Sequence, residues 1–455
     1  MVTALEYAQS HHEQFLEQLE AFVRIPSVST DPAHAEDVRR AAEWLADDMR
    51  RIGITAEIVP TKGHPIVYGE WLGAGEPAPT ALVYAHYDVQ PAIKSDGWDT
   101  EPFEPYRVDG KVYGRGVADD KGHSLLVVKA LECYLASGTP CPINLKFLIE
   151  GEEESGSANF ATFVRENTER LKADTCIVAD SGLTRADQPD IYYGIRGITS
   201  VEFRVRGPKT DLHSGVHGGY VHNPAQVVAE MVAKLHNDDG SVAVPGFYDT
   251  VRLLPEAERA ELNKNDLTAQ DWADFVGAPQ AWGEPGYTLL ERATTRPTLE
   301  INGISGGYAG DGMKTVIPAQ ASAKITCRLV ADQKPEQIGA LVRDYLYQIV
   351  PPTVTLEVEV HAGGEPVTVP IDSAPVQALV RAFRYHWDAA PHFKRTGGTL
   401  PILSVFQEEL KLPSVMLGFS LVDSGIHGPN EHFHIDLFYK GLDTLIVLYE
   451  ELAVS

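Results

Sequence analysis

INLKFLIEGEEESGS, residues 143–157, joins two features that decide how the chain folds. INLKFLIE has the length and apolar content of a buried strand, and it runs straight into three consecutive glutamates, Glu152, Glu153 and Glu154. Adjacent carboxylates repel one another. The trio is therefore either a water-solvated turn or the wall of a space that holds positive charge.

The same pattern, an apolar run ending in ligand-type side chains, recurs on either side. TALVYA (80–85) leads into AHYDVQP, with His86 and Asp88 two apart, and DTCIVAD (174–180) ends on Asp180. In YGRGVADDKG a Gly-rich turn delivers Asp119 and Asp120 to a helix start. Far downstream, SGIHGPNEHFH carries His427 in a Gly/Pro loop before a last helix from Leu437. With IVYGEW (66–71), these runs alternate with helical stretches after Asp120 and over Ser157–Leu171. That alternation predicts an α/β domain with a largely parallel, mixed sheet.

From residue 196 the pattern changes. GITSVEFRVRG (197–207) alternates with period two, AKITCRLV (323–330) and TVTLEVEVH (353–361) are further strands, and helical patterns follow Asn223 and Lys334. The polar stretch Asn237–Arg296 elaborates the surface of this α+β unit. From Ala374 the helix-strand alternation resumes with ILSVF (402–406) and SVMLGF (414–419). The expected organisation is one discontinuous domain, 1–195 and 371–455, interrupted by an inserted domain, 196–370.

At 455 residues the chain is long enough for two such cores, and 44% apolar with 22% charged residues is ordinary for a soluble globular protein. Lys and Arg number 38 against 64 Asp and Glu, a formal charge of −26, which argues against nucleic acid or anionic membrane as partner. Near the N-terminus Phe15, Leu16, Leu19, Phe22 and Val23 fall at helical spacing up to Pro26, and no apolar stretch reaches the roughly 18 residues that span a bilayer. Cys133, Cys141, Cys176 and Cys327 form no CxxC pair, which suits a reducing, cytoplasmic setting.

Ligands of an open α/β sheet gather beyond the C-terminal ends of its strands. Taken singly, a His-Asp pair at a strand end, a capping aspartate and a solvated acidic turn each have a plain structural explanation. Taken together, they put one imidazole and several carboxylates at consecutive strand ends, with a late histidine besides. Such a mixed nitrogen and oxygen set suits zinc at two nearby positions, and manganese or cobalt would also be accepted.

AHYDVQP, GRGVADDKG, EEESGS, DLHSGVHGG and GIHGPNE, in this order and over nearly the whole chain, resemble the M20 metallopeptidases. The long insertion favours the dipeptidase branch, similar to carnosinase and cytosolic nonspecific dipeptidase. The resemblance implies a zinc-peptidase-like catalytic domain with an inserted lid and dimerisation domain, and a dinuclear metal centre. It implies His86 and Asp180 on one ion, Glu154 and His427 on the other, Asp119 bridging both through a cis peptide to Asp120, and Asp88 orienting His86. Only Glu153-Glu154-Ser155-Gly156 fits the family register, so Glu153 takes the place of the general base and Glu152 is left spare.

The resemblance further implies hydrolysis of dipeptides by a water that the two ions share and activate. His213 would stabilise the oxyanion from the neighbouring subunit of a homodimer. Arg328 would pair with the substrate's C-terminal carboxylate, and Thr315, Gly398 and Thr399 would add substrate contacts; Thr399 stands where relatives often carry serine. Two alternatives stand beside this expectation: an N-acyl-amino-acid deacylase of the same family, and a non-catalytic, metal-stabilised binding dimer that would have no need of Glu153.

Overall fold

The computed structural model describes residues 2–265 and 268–454. It separates into two compact units. The first comprises Met1–Tyr193, Val369–Lys394 and Val405–Ser455, and the second Gly194–Thr368 with Arg395–Ser404.

The first unit is organised by a mixed sheet. Its centre holds four parallel strands in the order Asn144–Glu150, Thr80–His86, Thr175–Val178 and Ser414–Met416. Ile66–Trp71 and then Thr55–Val59 extend one side antiparallel, and Asp190–Ile195 pairs antiparallel with Ser414–Met416 on the other. All seven residues of Asn144–Glu150 are buried, as a central strand covered on both faces requires.

Helices Ala4–Val23, Lys121–Ser137, Ala374–His386 and Ile435–Ala453 pack on one another. Thr3 and Glu6 form a reciprocal capping box at the first of them. Phe15, Leu19, Phe22, Leu125, Leu131, Leu445 and Tyr449 are fully or almost fully buried in this layer. The central helix Lys121–Ser137 even buries Lys129, whose ammonium is neutralised by Asp48 at 2.6 Å and Glu132 at 2.8 Å. Among the described residues no helix is long and apolar enough to cross a membrane.

The second unit is a four-stranded antiparallel sheet in the order Thr298–Gly306, Gln320–Leu329, Gly197–Arg206 and Thr355–Gly364. Period-two alternation puts Val201, Phe203, Val205, Ala323, Ile325 and Cys327 on one face, where Val227, Val228 and Met231 of helix Pro224–Ala233 and Ile338, Val342 and Leu346 of helix Pro335–Ile349 cover them. The alternate residues, Thr326 and Arg328 among them, stay on the other face. The chain leaves the first unit after Tyr193 and re-enters it at Val369, whose N–H donates to the Tyr193 carbonyl at 2.8 Å.

Two local expectations change. Arg395–Ser404, read from sequence as part of the discontinuous domain, belongs to the second unit, where the Thr399 hydroxyl donates to the Arg196 carbonyl at 2.7 Å. ILSVF, read as a strand, lies mostly in the short helix Pro401–Val405, followed by a π-helical turn over Phe406–Leu410. A five-residue apolar run carries no period that separates strand from buried helix, and proline at the first helical position favours the helix.

Candidate functional site

His86 closes the strand Thr80–His86, Glu150 closes Asn144–Glu150 beside it, and Asp180 follows Thr175–Val178. Because these strands are parallel neighbours, their ends bring all three side chains to one edge of the sheet. The turn before helix Lys121–Ser137 adds Asp119, and the Asp119–Asp120 peptide is cis. The loop before the last helix adds His427, whose backbone sits in the left-handed region at φ 63°.

Two ligand sets result, and they share one carboxylate. The ligand atoms of His86, Asp119 and Asp180 lie within 4.8 Å of one another, and so do those of Asp119, Glu154 and His427. Asp119 Oδ1 is 3.0 Å from His86 Nε2, while its Oδ2 is 3.0 Å from His427 Nε2. The same His427 nitrogen is 3.2 Å from Glu154 Oε2. Each oxygen of Asp119 is thus turned toward a different set.

Residues around the two sets fix their direction. Asp88 accepts the backbone N–H groups of Glu153 at 3.2 Å and Glu154 at 3.0 Å, and its Oδ1 is 3.4 Å from His86 Nδ1. The Asp88 backbone carbonyl is nearer still to His86 Nδ1, at 3.1 Å, so this one residue aims both the imidazole and the glutamate turn. Gln90 Nε2 donates to Glu154 Oε2 at 2.6 Å. Asp120 Oδ2 accepts the His86 N–H at 3.1 Å, and its Oδ1 is 2.8 Å from His123 Nδ1. Since His123 Nε2 accepts the Phe419 N–H at 2.9 Å, the proton of that ring sits on Nδ1.

Charge is unbalanced here. Burial, and after it the carboxylates of Asp180, Glu154 and Asp119, push Glu153 up to about 8. Burial, with Asp120 and Asp119 nearby, raises Asp180 to about 7. Hydrogen bonds to Asp119 and then Glu154 raise His427 to about 10. For Asp119 burial acts upward, yet the hydrogen bonds from both imidazoles hold it below the usual carboxylate range. Buried Glu154 Oε1 has no hydrogen-bond partner. Two mixed imidazole and carboxylate sets with an orphaned buried oxygen fit two divalent cations, whose charge would relieve the repulsion.

Three acidic residues do more than their sequence suggests. Glu152, left spare in the sequence reading, is buried: Oε1 accepts from the His64 N–H at 3.1 Å, and Asn159 Nδ2 donates to Oε1 at 3.1 Å and Oε2 at 2.9 Å. A side chain at Gly63 would collide with it, since a Cβ there would stand 1.7 Å from Oε1. Glu150 accepts from Tyr84 at 2.6 Å and Ser157 at 3.0 Å. Glu431, fully buried, accepts the N–H groups of Gly116, Ala118 and Asp119 and pairs with Arg115 at 2.7 Å. The GPNE motif contains Glu431, but nothing local to it points at the turn it holds.

The remaining sequence candidates lie in the second unit, in two places. His213 Nδ1 accepts the Gly215 N–H at 3.0 Å, so its proton is on Nε2, which stands 3.4 Å from the Thr315 hydroxyl. That side chain is exposed. Arg328 donates to the Thr399 hydroxyl at 2.7 Å, and the Gly398 carbonyl accepts the Arg196 N–H at 3.1 Å. Burial, and then the charge of Arg328, pull Arg196 down to about 10. Arg196 and Arg328 both line a cavity of about 560 Å³ with Glu300, Thr326 and Trp282. Arg196, which the sequence reading missed, has a buried Nη1 without a partner; its GIRG context looks like a plain strand end.

The chain as a whole has recognisable relatives. The family model described as peptidase family M20/M25/M40 matches residues 82–451. The Cys-Gly metallodipeptidase of Schizosaccharomyces pombe is 32% identical over 467 residues, covering 98% of this chain and 97% of the relative. The human Beta-Ala-His dipeptidase is 29% identical, covering 98% of this chain and 92% of the relative. Among solved structures, human carnosine dipeptidase 1 superimposes with a TM-score of 0.81 at 29% identity, covering 99% of this chain and 98% of the other. An M20 family metallo-carboxypeptidase from Sulfolobus solfataricus gives a TM-score of 0.85 at 31% identity, covering 97% and 99%.

Proposed function

This chain belongs to peptidase family M20/M25/M40, and from that premise we propose that it is a metal-dependent dipeptidase. The observation that carries the proposal is the sharing of Asp119 between two ligand sets with Glu153 beside them. Relatives named for cleaving Cys-Gly and β-Ala-His support dipeptides as the substrate class.

His86, Asp119 and Asp180 would hold one ion and Asp119, Glu154 and His427 the other. Zinc suits these donors, with manganese or cobalt as workable substitutes. Bound at these positions, divalent ions supply Lewis acidity, which lowers the pKa of water and polarises a carbonyl. Asp88 keeps His86 and the Glu153-Glu154 turn in register. Glu153 takes a proton from the attacking water and passes it to the departing amine.

Arg328 pairs with the C-terminal carboxylate of the substrate, with Thr399 holding its guanidinium and Gly398 shaping the loop beside it. His213 offers Nε2–H to the oxyanion, with Thr315 alongside. Its exposure supports a homodimer in which it serves the partner's site. The four cysteines are all free and buried, which supports a reducing, cytoplasmic setting.

The likeness to a metallo-carboxypeptidase favours a second reading, removal of the C-terminal residue from longer peptides. One assay separates the two, and the N-acyl-amino-acid deacylase with them. Metal-stripped protein is reconstituted with zinc, manganese or cobalt and given Cys-Gly, β-Ala-His, Ala-Ala, a tetrapeptide and N-acetylalanine. Release from the dipeptides should be fastest and should vanish with EDTA. Faster cleavage of the tetrapeptide or of N-acetylalanine would overturn the assignment.

A further inference from the structure

Apart from the two sets that share Asp119, one more group of metal-ligating side chains occurs among the described residues. The ligand atoms of Asp423, His432 and His434 lie within 4.8 Å of one another. The strand His432–His434 puts its two histidines on one face, with ring centroids 5.4 Å apart. It pairs antiparallel with Lys111–Tyr113, so that Lys111 lies opposite His434. Asp423 comes from the other end of the intervening loop, whose neck is closed by the His432 N–H donating to the Ser424 carbonyl at 2.8 Å.

The donor atoms are turned inward. His432 Nδ1 is 3.0 Å from the Asn430 carbonyl, which can only accept, so Nδ1 carries the proton and Nε2 presents a lone pair. Asp423 Oδ1 is 3.3 Å from His434 Nε2, and Asp423 Oδ2 is 3.9 Å from His432 Nε2. A positive charge already sits among them: Lys111 Nζ is 3.0 Å from His432 Nε2 and 3.4 Å from Asp423 Oδ2. The ammonium marks the place where a cation is stabilised. Its stem is partly exposed and flexible enough to carry the charge out to water.

Two imidazole nitrogens and one carboxylate oxygen are a zinc-type donor set with a fourth position left for water. We propose that Asp423, His432 and His434 form a third divalent-metal site, in which the ion exchanges with the Lys111 ammonium and clamps the neck of the loop that presents His427. His427 lies between Asp423 and His432 in the chain. An ion at the neck therefore restrains both ends of the segment that carries it. This last link rests on the metal role proposed for His427, whereas binding of the third ion does not.

The test is zinc binding to the full chain by equilibrium dialysis, counted as ions per chain with increasing free zinc. Wild type should bind one ion more than Asp423→Asn/His434→Gln, and that extra ion should be the weakest. Lys111→Met should bind the extra ion about tenfold tighter, because a competing positive charge is gone. Cobalt supplies an optical check, since loss of the third site should remove part of the visible absorption. Equal counts in wild type and the double variant would overturn the site. Unchanged affinity in Lys111→Met would overturn the exchange. Failure of the main site would lower both counts together and leave their difference of one intact.

Discussion

Glu431 accepts the backbone N–H of Asp119 at 3.1 Å across 312 positions of sequence. With the N–H groups of Gly116 and Ala118 on the same side chain, the turn that presents the shared carboxylate is held from the far end of the chain. Glu431→Gln keeps the shape but places an NH₂ group among donors. Metal affinity should fall about 10- to 100-fold, as for other residues that orient ligands. Chelator competition measures it, with circular dichroism unchanged.

Glu153→Gln removes the proton acceptor while leaving both ligand sets intact. Turnover should drop by about 10²- to 10⁴-fold, with metal content and substrate affinity retained. An active Glu153→Gln protein would assign proton transfer to another group.

Glu152→Ala strips a buried acceptor from His64 N–H and Asn159 Nδ2. Stability should fall by about 2 kcal/mol or more, because the donors left behind are desolvated without partners. Thermal unfolding reads the loss, and Glu152→Gln should recover part of it.

Metal affinity should weaken as pH falls. His427 is raised to about 10 and Asp180 to about 7, and His86, despite the opposing effect of burial, is held well above the ordinary imidazole value by Asp119 and Asp88, so all three carry protons that entering ions must displace. One proton per ligand set, from His427 in one and His86 in the other, should be released near pH 7 and above, and a further one, from Asp180, below about 7. Affinity for cobalt should change about tenfold per pH unit in the upper range and more steeply in the lower. Calorimetry in buffers of different ionisation enthalpy counts the protons.

Arg328→Lys keeps charge but loses the planar fork that matches a carboxylate. KM for dipeptides should rise about tenfold or more with a smaller change in kcat, while Thr399→Ser, which keeps the hydroxyl, should change little. Steady-state kinetics on Ala-Ala separates the two effects.

The gathering of ligand-type side chains at strand ends was legible because each follows an apolar run whose end is visible in sequence, as with TCIVA before Asp180 and INLKFLIE before the glutamates. What joins distant segments was not legible. Glu152 is recognisable as an anchor only once His64 and Asn159 lie beside it, and Glu431 only once the Asp119 turn does. Arg196 looked ordinary because its cavity is assembled from segments far apart in sequence, such as the strand residues Glu300 and Arg328 with His236 and Trp282, which only the fold brings together. ILSVF failed for a different reason, being too short for strand and helix periods to differ.

The hydrogen bond between Val369 and Tyr193 makes the entrance and exit of the long excursion Gly194–Thr368 immediate neighbours. Doubling the length of such an excursion costs only about 0.6 kcal/mol of closure entropy. Excursions of very different length can therefore begin and end at this same pair of residues while the sheet edge that gathers His86, Asp119 and Asp180 stays as it is.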